Sequence, residues 1–183
     1  GSGPVDPVSV IIPKKTLIEI KRLLEEEEQD PEVGFAKNQM LFRQGSLLLL
    51  SRLMEGTFPN YQQVIPKDNE KHVVVGRRPL EGALKRVSLL SREKTHAVKL
   101  QIEAGRICLS SSNPEVGEAK EDFSIPYQGE GMSAGFNARY LLDVLGVMKG
   151  EEAVFEFKDA LSPCLVRAPK DQNHLCVVMP MCV

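Results

Sequence analysis

The side chains able to do covalent or metal chemistry are few and scattered. The 183 residues hold four cysteines, Cys108, Cys164, Cys176 and Cys182, and three histidines, His72, His96 and His174. No two cysteines stand in a C-x-x-C spacing and no histidines in H-E-x-x-H, so neither a metal site nor a disulfide framework is signalled, and the thiols read as reduced and mostly packed. The glycine-rich stretch Gly129–Gly135 lacks the G-x-G-x-x-G order of a dinucleotide site and leads into a strand, which makes it a turn. There is no P-loop and no G-x-S-x-G elbow. One nucleophilic arrangement stays open, a thiol hydrolase using Cys164 or Cys182 with His174, because such partners meet in space and not in sequence. Neither cysteine has a neighbour that would favour its thiolate. No cofactor, no metal and no enzyme activity are expected.

Binding chemistry is better represented. The segment Cys176–Val183 is apolar to its last residue, and its Met-Pro-Met run suits one wall of an adaptable hydrophobic site. The loop Thr57–Pro66 carries Phe58, Tyr61, Val64 and Ile65 between two stiffening prolines, Pro59 and Pro66. Cations fall on helical faces: Lys14, Lys15, Lys21 and Arg22 on the first, Lys85 and Arg86 on the second, Arg139 and Lys149 on the third. Side by side, such faces would hold a phosphate backbone without reading bases. No aromatic RNA-binding signature, zinc finger or helix-turn-helix accompanies them, so sequence-specific readout is not expected.

The elements positioning these residues repeat. Val8–Ile12 reads as a strand, followed by an amphipathic helix from Lys14 to Glu28 with Leu17, Ile20, Leu23 and Leu24 on one face, then strands at Val33–Ala36, Met40–Arg43 and Leu47–Leu53. The order returns at His72–Val75, with Pro79 opening a helix of stripe Leu80, Ala83, Leu84, Val87 and Leu90, then strands at Ala97–Glu103, Arg106–Ser110 and Glu118–Ile125. It returns again at Met132–Phe136, with Asn137 capping a helix that Gly150 stops and strands at Ala153–Phe157, Cys164–Arg167 and Leu175–Met179. Each β-α-β-β-β unit exposes one helix stripe and one sheet face that a sister unit must cover. The reading is therefore α+β, one and a half domains. Residues 1–7 form a cloning remnant or linker, 8–69 half of a domain and 70–183 a complete one, with the boundary in the polar run Pro66–Lys71. The unpaired first half suggests a fragment whose sister lies upstream. Composition is that of an ordinary globular chain, 42% hydrophobic and 26% charged with net charge −2, and no apolar run approaches a membrane span, so a cytoplasmic address is expected.

Five segments carry a resemblance: Leu53–Tyr61, Ser88–Lys94, Ser112–Glu115, Gly135–Leu145 and Val177–Met181. Together they resemble the bacterial replicative sliding clamp, the β subunit of DNA polymerase III, over residues 8 to 183. The resemblance implies the DNA-clamp fold and a processivity factor in replication, whose dimeric ring encircles duplex DNA and makes or breaks no bond. This chain would correspond to the second half of the middle domain and the whole last domain. Replicative polymerase, clamp loader and repair factors would insert short peptides into a pocket formed here by Pro59, Gln63, Val64, Tyr140, Leu161, Pro163, Val177, Met179, Pro180 and Met181. The eight helical cations would face the DNA, with no membrane contact and a place at the nucleoid. Leu89 and Leu90, beside a strand with Glu115, Glu118 and Glu121, would make the ring contact. The sequence departs from the family at Cys182-Val183, where arginine followed by leucine or isoleucine is usual, and at Gln63, where a basic residue is frequent. The alternative is a clamp-derived peptide-binding adaptor that does not encircle DNA.

Overall fold

The computed structural model describes residues 7–26, 29–91, 95–171 and 174–183. Gly1–Asp6, the expected helix end at Glu28 and the Arg92–Lys94 end of the Ser88–Lys94 segment lie outside the described residues. The chain divides into two compact units, residues 1–59 and 60–183.

The first unit holds α1 (Lys14–Glu26) and a three-stranded antiparallel sheet, β1 (Glu32–Ala36), β2 (Gln39–Gln44) and β3 (Leu47–Arg52), in that order. Alternation along β2 sends Met40 and Phe42 inward, where with Leu23 they form a small core edged by Ile12, Ile20, Leu49 and Leu53. The α1 stripe, which the sequence leaves for a sister unit to cover, is not fully buried, with Leu17 and Leu24 49% and 45% exposed. A three-stranded sheet is too narrow to cover one full helix face. Val8–Ile12 is not a strand either. It makes one bridge, Ile11 to Met54, with the Met54 N–H donating to the Ile11 carbonyl at 2.9 Å. Among the described residues nothing pairs with the outer edge of β1.

The second unit contains two β-α-β-β-β halves. One is β4 (Lys71–Gly76), α2 (Arg77–Val87), β5 (Ala97–Glu103), β6 (Arg106–Asn113) and β7 (Gly117–Ser124); the other is β8 (Met132–Asn137), α3 (Ala138–Val147), β9 (Glu152–Phe157), β10 (Cys164–Arg167) and β11 (Leu175–Val178). The halves exchange their first strands. β4 pairs with β9 to give the sheet β11-β10-β9-β4, and β8 pairs with β5 to give β7-β6-β5-β8, all antiparallel. One core lies between the sheets and the paired helices α2 and α3, with Leu80, Leu84, Leu141, Leu145, Phe136 and Phe157 each at most 1% exposed. Phe136 of β8 meets Phe157 of β9 with ring centroids 6.3 Å apart, an aromatic contact that joins the two sheets.

Helix ends are set by polar contacts across the exchange. α2 starts at Arg77, two residues before Pro79, because β4 enters it without a loop and a proline in the first turn removes no helical hydrogen bond. Its far end is tied by buried Ser111, whose hydroxyl donates to the Val87 carbonyl at 2.6 Å. Asn137 caps α3 as expected, its side chain accepting from the Arg139 N–H at 2.9 Å. At the other end the helix stops at Val147 rather than Gly150, and Arg77 supplies the cap. Its guanidinium donates to the Leu145 carbonyl at 3.2 Å and to the Gly150 carbonyl at 2.7 Å, placing a cation at the negative end of the helix. Residues 60–70 belong to the second unit, although the sequence pattern puts most of them with the first domain. Asn69 is 8% exposed and donates to the Glu156 carbonyl at 2.7 Å and to that of Pro163 at 3.1 Å, which anchors this stretch on β9 and the approach to β10.

Candidate docking and nucleic-acid surfaces

The residues named for a peptide pocket sit almost entirely on the second unit, Pro59 alone closing the first. Gln63 ends a short 3-10 turn, Tyr61–Gln63, capped by the Asn60 side chain accepting from the Gln62 N–H at 3.2 Å. Val64 follows it, 54% exposed, and Asn69 holds the next residues to Pro163. Leu161, 72% exposed, rides on a turn in which the Asp159 carboxylate accepts from the Leu161 and Ser162 N–H groups and the Ser162 hydroxyl. Those bonds, the Ser162 hydroxyl first, hold the Asp159 carboxyl below the usual range. Val177 lies on β11 opposite Leu165 of β10. Tyr140 sits 61% exposed in the first turn of α3, a helix that packs against β11.

The chain then leaves β11 through Met179, which is 59% exposed, and half-buried Pro180. At Met181 it crosses to the other sheet, its N–H donating to the Gly135 carbonyl of β8 at 2.9 Å. Gly135 makes this crossing possible, since a Cβ there would stand 2.4 Å from the Met181 carbonyl oxygen and 2.5 Å from a Val183 methyl. The tail is thereby held on two sheets, with Met179 displayed beside it. Tyr61, which the sequence offers with the apolar loop Thr57–Pro66, is 60% exposed on the same unit.

A second surface forms along β7, the edge strand of its sheet. Leu89 is 80% exposed on a 3-10 turn, Ser88–Leu90, that packs against β6 and β7, with half-buried Leu90 beside it. Glu115 and Glu118 are exposed near the start of this edge, whereas Glu121 points to the helix side and is engaged by Arg86. Among the described residues β7 is thus a free sheet edge with exposed acidic residues near its start and an exposed leucine beside it.

The cationic faces are more neutral than the sequence suggests. Arg86 donates to both Glu121 carboxylate oxygens, at 2.9 and 2.5 Å, and this hydrogen bonding lowers the Glu121 carboxyl below its ordinary value. Lys85 donates to Glu81 at 2.7 Å, lowering that carboxyl too, and Arg22 pairs with Glu19 at 3.1 Å. α2 carries four cations against one acid, α3 only Arg139 against Asp143, and α1 four against three. Lys149, expected on a helix face, lies beyond the end of α3. Exposed Arg78, at the start of α2, adds to that face; a helix read from Pro79 leaves it out.

Of the two thiols left open as nucleophiles, Cys164 is not activated. Cys164 is fully buried on β10, its thiol donates to the Leu165 carbonyl at 3.5 Å, and burial pushes its pKa far up, away from the thiolate. Burial also raises Cys176, whose sulfur is 3.9 Å from His174 Nε2. Among the described residues no three metal-ligating side chains come together, and no helix is long and apolar enough to cross a membrane.

Comparison with known proteins accords with this architecture. Residues 62–182 match the C-terminal domain of the DNA polymerase III beta subunit, and residues 3–60 match its central domain. A beta sliding clamp of Caulobacter vibrioides is 40% identical over 179 residues, covering 98% of this chain and 48% of the relative. That of Escherichia coli K12 is 35% identical over 173 residues, covering 94% of this chain and 47% of the relative. Among solved structures, a Caulobacter crescentus beta sliding clamp with bound PEG superposes with a TM-score of 0.86 at 40% identity, covering 98% of this chain and 48% of that one. A Bartonella birtlesii sliding clamp bound to griselimycin gives 0.83 at 39%, covering 95% and 47%. The chain spans about half the length of the curated relatives it matches. With both domain families matched in order and the α+β sheets superposing on solved clamps, the chain belongs to the DNA polymerase III beta subunit family, the sliding clamps.

Proposed function

We propose that this chain supplies the partner-docking part of a replicative sliding clamp, a processivity factor that tethers polymerase, clamp loader and repair factors to duplex DNA at the nucleoid without catalysing a reaction itself. On this reading residues 60–183 are the last clamp domain and the first unit is half of the domain before it. The observation that carries it is the tail: an apolar Met-Pro-Met segment pinned to Gly135, with Met179, Tyr140, Leu161 and Val64 exposed on one unit. A rigid apolar surface gives a short peptide its anchor contacts at little ordering cost. Partner peptides would bind at Gln63, Val64, Tyr140, Leu161, Pro163, Val177, Met179, Pro180 and Met181, with Pro59 adjoining. The free edge of β7 with Leu89 and Leu90 would meet a neighbouring protomer in a ring. A labelled peptide from a replicative polymerase tail tests the docking surface: Met179→Ala and Tyr140→Ala should each weaken it by about 1–2 kcal/mol. Unchanged affinity in both variants removes the assignment.

A second reading, an adaptor that docks peptides without holding DNA, draws on the pairing of Lys85 and Arg86 with acids and on the near neutrality of α3. Duplex affinity separates the two. Phosphate contact through the helices, with Lys14, Lys15, Lys21, Arg22, Lys85, Arg86, Arg139 and Lys149 as contributors, requires a steep loss of binding between about 50 and 200 mM salt. A flat response selects the adaptor.

A further inference from the structure

A cavity of about 520 Å³ lies beneath residues 181–183, on the face of the β7-β6-β5-β8 sheet turned away from the helices. Its volume is in the range of small-ligand sites. Strand register places three of its residues in one row: Lys99 of β5 faces Ser110 of β6, which faces Lys120 of β7. Neighbouring strands are about 4.8 Å apart, so the two lysine backbones stand about 10 Å from each other with a hydroxyl between, and both ammonium groups can reach a single anion. The same row continues through Gly135, opposite Lys99, to the bridged Met181. The tail that displays Met179 on the docking surface therefore also walls this cavity, through Met181, Cys182 and Val183.

The charge balance selects the ligand. Glu118 also lines the cavity, and the Ser112 hydroxyl donates to its carboxylate at 3.3 Å. Glu103 is close enough to Lys120 to feel its charge, but Gln101 and Arg106 already hold its carboxylate. Among the lining side chains two lysines stand against one glutamate, with Ala97, Pro114 and Ala119 as the apolar part. A nucleic-acid phosphate is disfavoured by direction. Val98, Leu100 and Leu109, which alternate with Lys99 and Ser110, are buried toward the side where α2 packs, so the row points away from the cationic helix.

We infer that this cavity is an acidic-flank subsite of the peptide site proposed above: Lys99, Ser110 and Lys120 receive a carboxylate carried by the docked peptide next to its apolar anchors, on the Met181 side. The inference rests on that docking reading.

Its test uses two labelled peptides with the same apolar anchors, one flanked on both sides by glutamate and its twin by glutamine. Affinities are measured on the wild type and on the K99Q/K120Q double variant. At about 0.05 M salt the glutamate peptide should bind the wild type about three- to tenfold more tightly, the gap closing at about 0.5 M. In the double variant the gap should vanish while the glutamine peptide binds as before; both lysines are exposed, so the substitutions leave the core intact. Equal binding of the two peptides to the wild type, or equal weakening of both by the double variant, overturns the subsite alone. Binding of neither peptide overturns the docking reading and the subsite with it.

Discussion

Gly135→Ala adds one methyl group at the point where the tail is pinned. The new carbon would stand 2.4 Å from the Met181 carbonyl oxygen, about 1 Å inside ordinary contact, so the tail must lift. Lifting it breaks the Met181 N–H bond to Gly135, a loss of about 0.5–1.5 kcal/mol, and withdraws Val183 from the sheet. Backbone strain contributes nothing, because Gly135 is not among the residues with positive φ. If docked peptides need the seated tail, their apparent affinity falls with the seated fraction, and a loss of about 0.7–1.4 kcal/mol lowers it by at most about three- to tenfold, the full factor being reached where the tail is mostly unseated. Hydrogen exchange at the Met181 amide reads the same event without any peptide and should accelerate. Gly146→Ala is the matched control. Gly146 lies within α3 with nothing inside 4 Å of the added carbon, so alanine there should stabilise the unit by about 0.5–1 kcal/mol and leave the tail seated. A Gly135→Ala protein whose Met181 amide exchanges as slowly as in the wild type, and whose peptide affinity is unchanged, would refute the claim that the crossing at β8 organises the tail.

Two further outcomes follow from the thiols and the carboxylates. Alkylation of the folded protein should modify exposed Cys182 and spare Cys108 and Cys164 until the chain unfolds, as mass spectrometry of labelled peptides would show; rapid labelling of Cys164, or ester turnover lost in Cys164→Ala, would restore the hydrolase. Stability should fall on acidification: Glu81, Glu103, Glu121, Glu130 and Asp159 all have lowered carboxyl pKa values, chiefly from hydrogen bonds to Lys85, Gln101, Arg86, Lys71 and Ser162 in turn. Carboxyls lowered by folding bind protons more readily in the unfolded chain, so their contribution is complete above the ordinary carboxyl range, about pH 4–5, and disappears as pH drops through their folded values. Melting temperature measured from pH 7 down to about 3 should therefore decline mainly below about pH 5, and a flat profile would show these surface pairs to be inert.

Local pattern fixed what depends on one element and its own buried face. Ala97–Glu103 and Cys164–Arg167 have the bounds that their side-chain alternation and apolar run announce, and the α2 stripe Leu80, Ala83, Leu84 and Val87 is buried throughout. Features that depend on a distant partner left no such mark. Val8–Ile12 has strand composition, but a strand is made by its neighbour, and only Ile11 finds one. Arg77 lies before the helix that the sequence opens at Pro79 and carries no mark of a role, yet the carbonyls it reaches are 68 and 73 residues away. Arg86 reads as a phosphate ligand until β7, 35 residues on, brings Glu121 against it. In the docking surface, the Met-Pro-Met composition was legible, while the pin at Gly135 was not, because that glycine sits within a strand pattern and its need for space comes from a segment 46 residues later. An isolated glycine in a strand is the one available hint that another backbone approaches there.

The strand exchange in the second unit explains how the tail proposed for docking is held. β11 belongs to one sheet and β8 to the other, and each sheet is completed by a strand from the opposite half. A segment running from the end of β11 to β8 therefore bridges both sheets, and its position reports whether the two are assembled. The first unit shows the contrast: with no strand on the free edge of β1 among the described residues, its helix stripe and sheet face stay partly exposed. The placement of Met181 is thus set by the interlocked sheets and not by the tail sequence alone. A peptide that gains affinity from a seated tail is in effect selecting the folded, exchanged state of the unit, so substitutions in the shared core should weaken docking once they lower the folded fraction, even where they touch no peptide contact.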